Sequence, residues 1–166
     1  DSLLLDPLFE ISADYIDGLA PFENVFFEMK TKTDFVDHLL ELPRKGNAVI
    51  GFSLNPPDLA AEEEPYAAPI DARLAAAQRA LAAGYRLAFH FDPIIHVPDY
   101  AERYGEVIRR LARFPADRVA WISMGTVRFT PALRERMQPR PYLFDEFVPG
   151  RDGKLRYLQV VRSEVY

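Results

Sequence analysis

The chain has 166 residues, of which 49% are hydrophobic and 27% are charged, and its net charge at pH 7 is −5. This composition is that of a globular domain, which excludes a disordered chain, and the acidic balance argues against a generally basic nucleic-acid-binding protein. The sequence contains no cysteine, which excludes disulfides and cysteine-ligated zinc or iron–sulfur clusters within these residues. No apolar run approaches the roughly 18 residues of a membrane span, so no membrane contact is expected. The absence of cysteine fits a cytoplasmic protein.

Strand and helix patterns alternate along the chain. Strands are predicted at residues 24–31, 47–55, 86–95 and 118–129, and helices at residues 11–20, 34–42, 69–83 and 99–114. Between the second strand and the helix that follows it, the acidic run Ala60–Glu64 is interpreted as part of a solvated loop. A further short helix is predicted to begin at Pro131.

The last segment of the chain has a different pattern. Two short β-like runs, Leu143–Val148 and Lys154–Val161, flank a turn with Pro-Gly and Asp-Gly pairs, so we predict a β-hairpin. The segment from Arg134 to Tyr166 has seven basic and five acidic residues, so it carries +2 and the rest of the chain −7. A locally basic segment indicates an anionic partner, although an ordinary solvated surface has the same composition.

The alternation of strands and helices is typical of parallel strands joined by right-handed crossovers. A closed barrel of this kind needs about eight strand–helix units, whereas only four follow one another here. We therefore predict an α/β fold that forms part of a (β/α) barrel and ends in a C-terminal β-hairpin. Half a barrel leaves two unpaired edges, so we expect the chain to be part of something larger, in agreement with the missing initial methionine.

Each predicted strand becomes polar toward its carboxyl end, which is where ligands bind in parallel α/β folds. The polar residues at these ends are Lys32, Ser53, Asn55, His90, Asp92, Thr126 and Arg128. A single polar residue at the end of a strand usually marks only the exit to solvent. Four successive strands with this property favour a binding site.

The types of these residues indicate what the site can bind. Lys32 offers a positive point charge for a carboxylate or phosphate, and Ser53 and Asn55 offer a hydroxyl and an amide to one polar ligand. His90 and Asp92 are candidates for positioning a group or moving a proton, and a satisfied internal hydrogen-bonded pair is an alternative that stays open. The three histidines show no recurring ligand spacing, so no metal site is predicted.

Four segments resemble the radical S-adenosylmethionine enzymes related to spore photoproduct lyase. They are KTKTDFVDHLL at 30–40, VIGFSLNP at 49–56, AGYRLAFHFDPII at 83–95 and AWISMGTVRF at 120–129. The resemblance implies a partial (β/α)6-type barrel, a relative of the TIM barrel, over residues 1–140. It implies that residues 141–166 form a hairpin extension.

The chemistry that the resemblance implies depends on a metal cluster. In this family a CxxxCxxC loop holds a [4Fe–4S] cluster, which binds S-adenosylmethionine and splits it to a 5′-deoxyadenosyl radical. That radical abstracts hydrogen from a thymine-dimer lesion in DNA, after which the bond between the bases breaks. Because this chain has no cysteine, the cluster ligands and the hydrogen-donor cysteine are expected in a missing N-terminal barrel segment. No catalytic residue is assigned here, and the chain alone is expected to be inactive.

The resemblance also implies roles for individual residues. Lys32, Ser53 and Asn55 match positions that contact S-adenosylmethionine, with Lys32 suited to the methionine carboxylate. The final hairpin resembles one that enters DNA beside the lesion. There Arg156 is a candidate phosphate contact, and Tyr157 is a candidate aromatic wedge or stacking platform.

Three functions are compatible with these observations. The first is the C-terminal part of a radical lyase that reverses a thymine-dimer-type DNA lesion, with Arg128 over the barrel mouth as a substrate contact. The second is a radical S-adenosylmethionine enzyme that acts on a non-DNA substrate, which the net acidity of the chain favours. In that case His90 and Asp92, which depart from the more apolar spore enzyme, help to select the substrate. The third is a non-catalytic α/β binding module.

Overall fold

A computed structural model describes residues 1–143 and 146–157 of the chain. Its helices and strands, in chain order, are α1 (Asp6–Phe9), α2 (Ile11–Leu19), β1 (Phe27–Thr31), α3 (Asp37–Leu40), β2 (Ala48–Ser53), α4 (Pro57–Glu63), α5 (Ile70–Ala82), β3 (Arg86–Ile94), α6 (Tyr100–Leu111), β4 (Val119–Thr126), β5 (Arg128–Phe129), α7 (Pro131–Arg134), β6 (Phe147–Pro149) and β7 (Leu155–Tyr157). A 3-10 turn at Ala116–Arg118 leads into β4. No helix in these two ranges is both long enough and apolar enough to cross a lipid bilayer.

Strands β1 to β4 form one parallel sheet in the order β1-β2-β3-β4. The register places Lys30 of β1 beside Gly51 of β2, and Ser53 of β2 beside His90 of β3. His90 in turn lies beside Ser123 of β4. The predicted α/β fold is thereby confirmed as a four-stranded parallel sheet with β1 and β4 as its outer strands.

The side chains of each strand alternate between the two faces of the sheet, and helices cover one of these faces. Phe89 and Phe91 of β3 point toward the helical layer and are buried. The Phe89 ring lies 5.1 Å from that of Phe114, and the Phe91 ring meets the edge of Tyr104 of α6 at 6.1 Å between centroids. His90, which lies between them in sequence, points to the opposite face of the sheet, and this second face carries the polar groups.

Strands β5, β6 and β7 form a small antiparallel sheet in the order β5-β7-β6. Arg128 of β5 pairs with Arg156 of β7, and Phe147 of β6 pairs with Tyr157 of β7. The predicted hairpin continues to Val161, but residues 144, 145 and 158–166 lie outside the described part of the chain.

Three predicted elements differ from the structure, and the first is the helix predicted at residues 34–42, of which only the turn Asp37–Leu40 is helical. Residues 57–63 form helix α4 instead of a solvated loop, with Pro57 in its first turn and with Leu59 and Ala60 buried. The loop interpretation is wrong because Leu59 and Ala60 pack inward from this helix, and Glu63 at its end is itself only 15% exposed. The strand predicted at 118–129 divides at Val127, since its last two residues join the antiparallel sheet.

Candidate functional site

One buried carboxylate joins the carboxyl ends of β1 and β2. Glu64 directly follows α4, and its Oε1 accepts hydrogen bonds from Lys32 Nζ at 2.7 Å and from Asn55 Nδ2 at 2.9 Å. The side chain of Glu64 is 7% exposed, whereas that of Lys32 is 40% exposed. The lysine ammonium is therefore held from one side and open to a ligand from the other.

A second cation holds the other oxygen of this carboxylate. Arg73 of α5 is 1% exposed and donates from Nη2 to Glu64 Oε2 at 2.6 Å. Its remaining donors reach main-chain oxygens, from Nη1 to Ser53 at 2.8 Å and from Nε to Ala68 at 2.7 Å. The guanidinium thus ties helix α5 to the end of strand β2 and fixes the carboxylate between them.

The charges in this cluster do not cancel. Burial by itself raises the pKa of the Glu64 carboxyl, but hydrogen bonds from Lys32, Arg73 and Asn55 outweigh that effect and hold the pKa below its ordinary value. The carboxylate is therefore ionised at neutral pH, and two cations surround one anion. Lys32, Arg73 and Glu64 together carry +1, and the Asp1 carboxylate, which accepts a hydrogen bond from the Lys32 main-chain N–H at 2.6 Å, adds a negative charge beside them.

The amide of Asn55 has a single orientation. Its Oδ1 accepts a hydrogen bond from the Tyr104 hydroxyl at 2.7 Å, while its Nδ2 donates to Glu64. The Tyr104 oxygen also accepts from the main-chain N–H of Ile95 at 2.9 Å. Burial raises the pKa of the Tyr104 phenol, which keeps its proton available to Asn55. The amide is therefore held by a partner on each side, and Asn55 is 6% exposed.

A second polar cluster crosses the sheet from β1 to β4. His90 Nε2 is hydrogen-bonded to Glu28 Oε1, and His90 Nδ1 lies 2.6 Å from Ser123 Oγ. Glu28 and His90 belong to the strands on either side of β2, and they meet above Gly51. A Cβ atom at position 51 would lie 2.9 Å from His90 Nε2 and would overlap the Glu28 carboxylate. The absence of a side chain at position 51 therefore permits the contact.

Asp92 is paired with Arg128 and not with His90. A Cβ atom at Gly125 of β4 would lie 2.8 Å from Asp92 Oδ1, so a second glycine makes room for this carboxylate. The interpretation of His90 and Asp92 as a mutual hydrogen-bonded pair is wrong, because each of them is bound to other side chains. Both residues nevertheless lie at the polar end of β3, where the sequence predicted them.

The candidate residues of the hairpin have different surroundings from those expected. Arg156 donates to Asp152 Oδ2 at 2.9 Å within the turn region. Tyr157 is 3% exposed, and its ring lies 4.9 Å from that of Phe147. An aromatic wedge or stacking platform needs an exposed ring. The described arrangement gives Tyr157 a packing role within the small sheet, because its neighbours there are aromatic.

Two of the three predicted cofactor residues, Lys32 and Asn55, come together at Glu64. Ser53 lies beside them, 4% exposed, and its carbonyl is held by Arg73. The sequence analysis did not identify Glu64 and Arg73, because charged residues are ordinarily predicted to lie on the protein surface. Arg73 had a detectable signal, since it occupies a core-facing position three residues after the buried Ile70.

Within residues 1–143 and 146–157 no group of three or more histidine, aspartate or glutamate side chains is arranged to hold a metal ion. The cluster around Glu64 is a different kind of site. Its partly exposed group, the Lys32 ammonium, is a hydrogen-bond donor, which suits an anionic group of an organic ligand rather than a metal cation.

The sequence matches the model of the spore photoproduct lyase family over residues 5–140. It is 37% identical over 83 residues to the spore photoproduct lyase of Geobacillus sp. (strain Y412MC61), an alignment that covers 50% of this chain and 24% of that enzyme. It is 35% identical over 88 residues to the spore photoproduct lyase of Bacillus subtilis (strain 168), which covers 52% of this chain and 26% of that enzyme.

Solved structures of spore photoproduct lyase have the same fold over nearly the whole chain. A double mutant with bound AdoMet and dinucleoside spore photoproduct superposes with a TM-score of 0.82 at 27% identity, over 99% of this chain and 52% of that one. Another spore photoproduct lyase structure, complexed with dinucleoside spore photoproduct, superposes with a TM-score of 0.79 at 26% identity, with the same coverage. The chain therefore spans about half the length of these solved enzymes.

Proposed function

The chain belongs to the spore photoproduct lyase family, and from this we propose that it forms the S-adenosylmethionine-binding and lesion-binding part of a radical lyase. The reaction of the whole enzyme would be the reversal of a thymine-dimer-type DNA lesion. The observation that carries the proposal is the convergence of Lys32 and Asn55 on Glu64 at the carboxyl ends of β1 and β2. We propose residues 1–140 as the partial barrel and residues 141–166 as its extension.

We propose that the cluster around Glu64 binds the amino-acid end of the cofactor. S-adenosylmethionine is a net cation that carries one carboxylate, and the partly exposed Lys32 would pair with that carboxylate. We expect the second amide N–H of Asn55 and the hydroxyl of Ser53 to bind carboxylate or ribose oxygens of the cofactor. When bound, the cofactor supplies the hydrogen-abstraction chemistry of the family.

The residues of this chain do not fit the iron–sulfur cluster. The sequence contains no cysteine, and Cys thiolates are the usual ligands of such clusters. We therefore propose that the cluster ligands and the hydrogen donor belong to a preceding barrel segment, and that the chain on its own lacks lyase activity.

We propose Asp92 and Arg128 as substrate contacts, since they lie at the same polar end of the sheet. Arg156 is a candidate phosphate contact in the hairpin extension.

One observation favours a second function, a radical enzyme with a non-DNA substrate. Both arginines are already paired with carboxylates, so these two residues add little net positive charge for a phosphate backbone.

Calorimetric titration of S-adenosylmethionine into the chain tests the proposed cofactor site. We expect binding that Lys32→Ala and Asn55→Ala each weaken by about tenfold or more, because each removes a hydrogen bond in which one partner is charged. Lys154→Ala and Asn47→Ala are matched controls, one in the hairpin turn and one at the amino end of β2. Equal affinity in all five proteins would place the cofactor elsewhere, and no binding even with the cysteine-bearing segment restored would remove the radical-enzyme function. That result would favour a non-catalytic binding module.

A further inference from the structure

The proposed cofactor site does not use the cluster formed by Glu28, His90 and Ser123. The imidazole is 7% exposed and the Glu28 side chain 24% exposed, while Ser123 is half-buried. The imidazole ring is therefore enclosed, whereas Glu28 and Ser123, at the two ends of the cluster, are partly exposed. Ser53, a proposed cofactor contact, lies directly beside His90 in the register, so the cluster adjoins the cofactor site.

The two partners of His90 determine which way each hydrogen bond runs. An ionised Glu28 can only accept, so an imidazole with one proton carries that proton on Nε2 and donates it to Glu28. Nδ1 is then an acceptor, and the Ser123 hydroxyl must donate to it across the 2.6 Å separation. The proton of Ser123 is thereby committed to His90, and the lone pairs of its oxygen are left for another group.

We propose that Ser123 Oγ accepts a hydrogen bond from an N–H group of the substrate, and that Glu28 and His90 are positioning residues that impose this polarity. The proposal rests on the proposed function, in which the substrate is a pyrimidine lesion. A thymine ring has one imide N–H, at N3, between two carbonyl oxygens. Ser123 Oγ would accept a hydrogen bond from that N–H. A hydroxyl that could rotate would donate to a carbonyl as readily as it accepts from an N–H, so it would not distinguish the two groups.

The first experiment measures the imidazole tautomer by the 15N chemical shifts of His90, at a pH where the ring carries one proton. We expect the Nε2–H tautomer alone in the unmodified chain. In Glu28→Gln the side-chain amide can donate as well as accept, so the Nδ1–H tautomer should appear. A ring protonated on Nδ1 in the unmodified chain would overturn the proposal, since Ser123 would then be free to donate to a substrate.

The second experiment compares the binding of thymidylyl-thymidine with that of its N3-methylated analogue. We expect Ser123→Ala to weaken binding of the first ligand by about tenfold and to leave binding of the methylated ligand unchanged. Ser2→Ala, an exposed serine at the start of the chain, is the matched control. Circular dichroism establishes that each variant is folded.

The outcomes separate this inference from the function on which it rests. If the chain binds the dinucleotide and Ser123→Ala affects both ligands alike, or neither, the role of Ser123 is wrong and the proposed function stands. If neither ligand binds, also after the preceding barrel segment is restored, the pyrimidine substrate is wrong and the assignment of Ser123 fails with it.

Discussion

Glu28 of β1 and His90 of β3 form a hydrogen bond across the strand that separates them. They do so above Gly51 of β2, the position where a Cβ atom would overlap the carboxylate and approach the imidazole to 2.9 Å. Strands β1 and β3 are both neighbours of β2 and do not pair with each other. The contact therefore depends on a gap in the side-chain layer of the strand between them.

Gly51→Ala should destabilise the chain by roughly 1–3 kcal/mol, because the methyl group forces Glu28 and His90 apart in a packed layer. Chemical denaturation at 25 °C measures the change. Gly18→Ala in α2 is the matched control, since nothing lies within 4 Å of a Cβ at that position. Because alanine favours a helix, we expect that control to gain stability by about 0.5–1 kcal/mol. Equal effects of the two changes would refute the crowding argument.

Glu64 should make the stability of the chain depend on pH. Its pKa is lower in the folded chain than its ordinary value of 4.5, so the unfolded state binds more protons at acidic pH. The contribution of Glu64 is therefore complete above about pH 4.5 and decreases as the pH falls through the folded pKa. Urea denaturation between pH 3 and pH 7 should show a shallower pH dependence for Glu64→Gln than for the unmodified chain.

Asp6 contributes separately to the same dependence. Its burial raises its pKa, but hydrogen bonds from the Ser12 main chain and from His38 outweigh that effect, so the pKa is lowered overall. Asp6→Asn should therefore flatten the profile on its own, and the double variant should have the flattest profile. A Glu64→Gln profile parallel to that of the unmodified chain would contradict the geometry described for the buried carboxylate.

Arg73→Met should lower the free energy of unfolding by about 3–5 kcal/mol, since it leaves the buried Glu64 carboxylate without its buried cationic partner. Thermal and urea denaturation at pH 7 measure the loss. The matched control is Arg79→Met on the same helix, where the arginine and its partner Asp37 are both exposed. That change should cost less than about 1 kcal/mol. Similar losses in both variants would show that the buried pair contributes no more than the exposed pair.

Arg128→Ala separates a binding role from a structural one. The ion pair with Asp92 is half-exposed, so its loss should change stability by less than about 1 kcal/mol. If Arg128 contacts the substrate, affinity for dinucleoside spore photoproduct should fall by about tenfold at the same time. Arg110→Ala, which removes the ion pair between α6 and Asp71 of α5, is the control and should leave binding unchanged. Unchanged affinity in both variants would remove Arg128 from the substrate site.

Much of the fold could be predicted from local patterns. The strands of the parallel sheet and helices α5 and α6 lie within the ranges that periodicity and turn residues indicated. Helix α4 was missed because its prolines and acidic residues are typical of a solvated loop, whereas the structure buries its Leu59 and Ala60. Only the tertiary structure shows that Glu64, which follows this helix, is buried as well.

The sequence by itself determined the parallel α/β fold and the polar carboxyl ends of the strands, because alternation along a strand and amphipathic periodicity along a helix are local properties. It also placed Lys32, Asn55 and His90 at those ends. Only the tertiary structure decided their partners. Glu64 reaches Lys32 across 32 positions of the chain, and Glu28 reaches His90 across 62. Such contacts depend on strand order, register and the space left by a glycine, none of which a local pattern specifies.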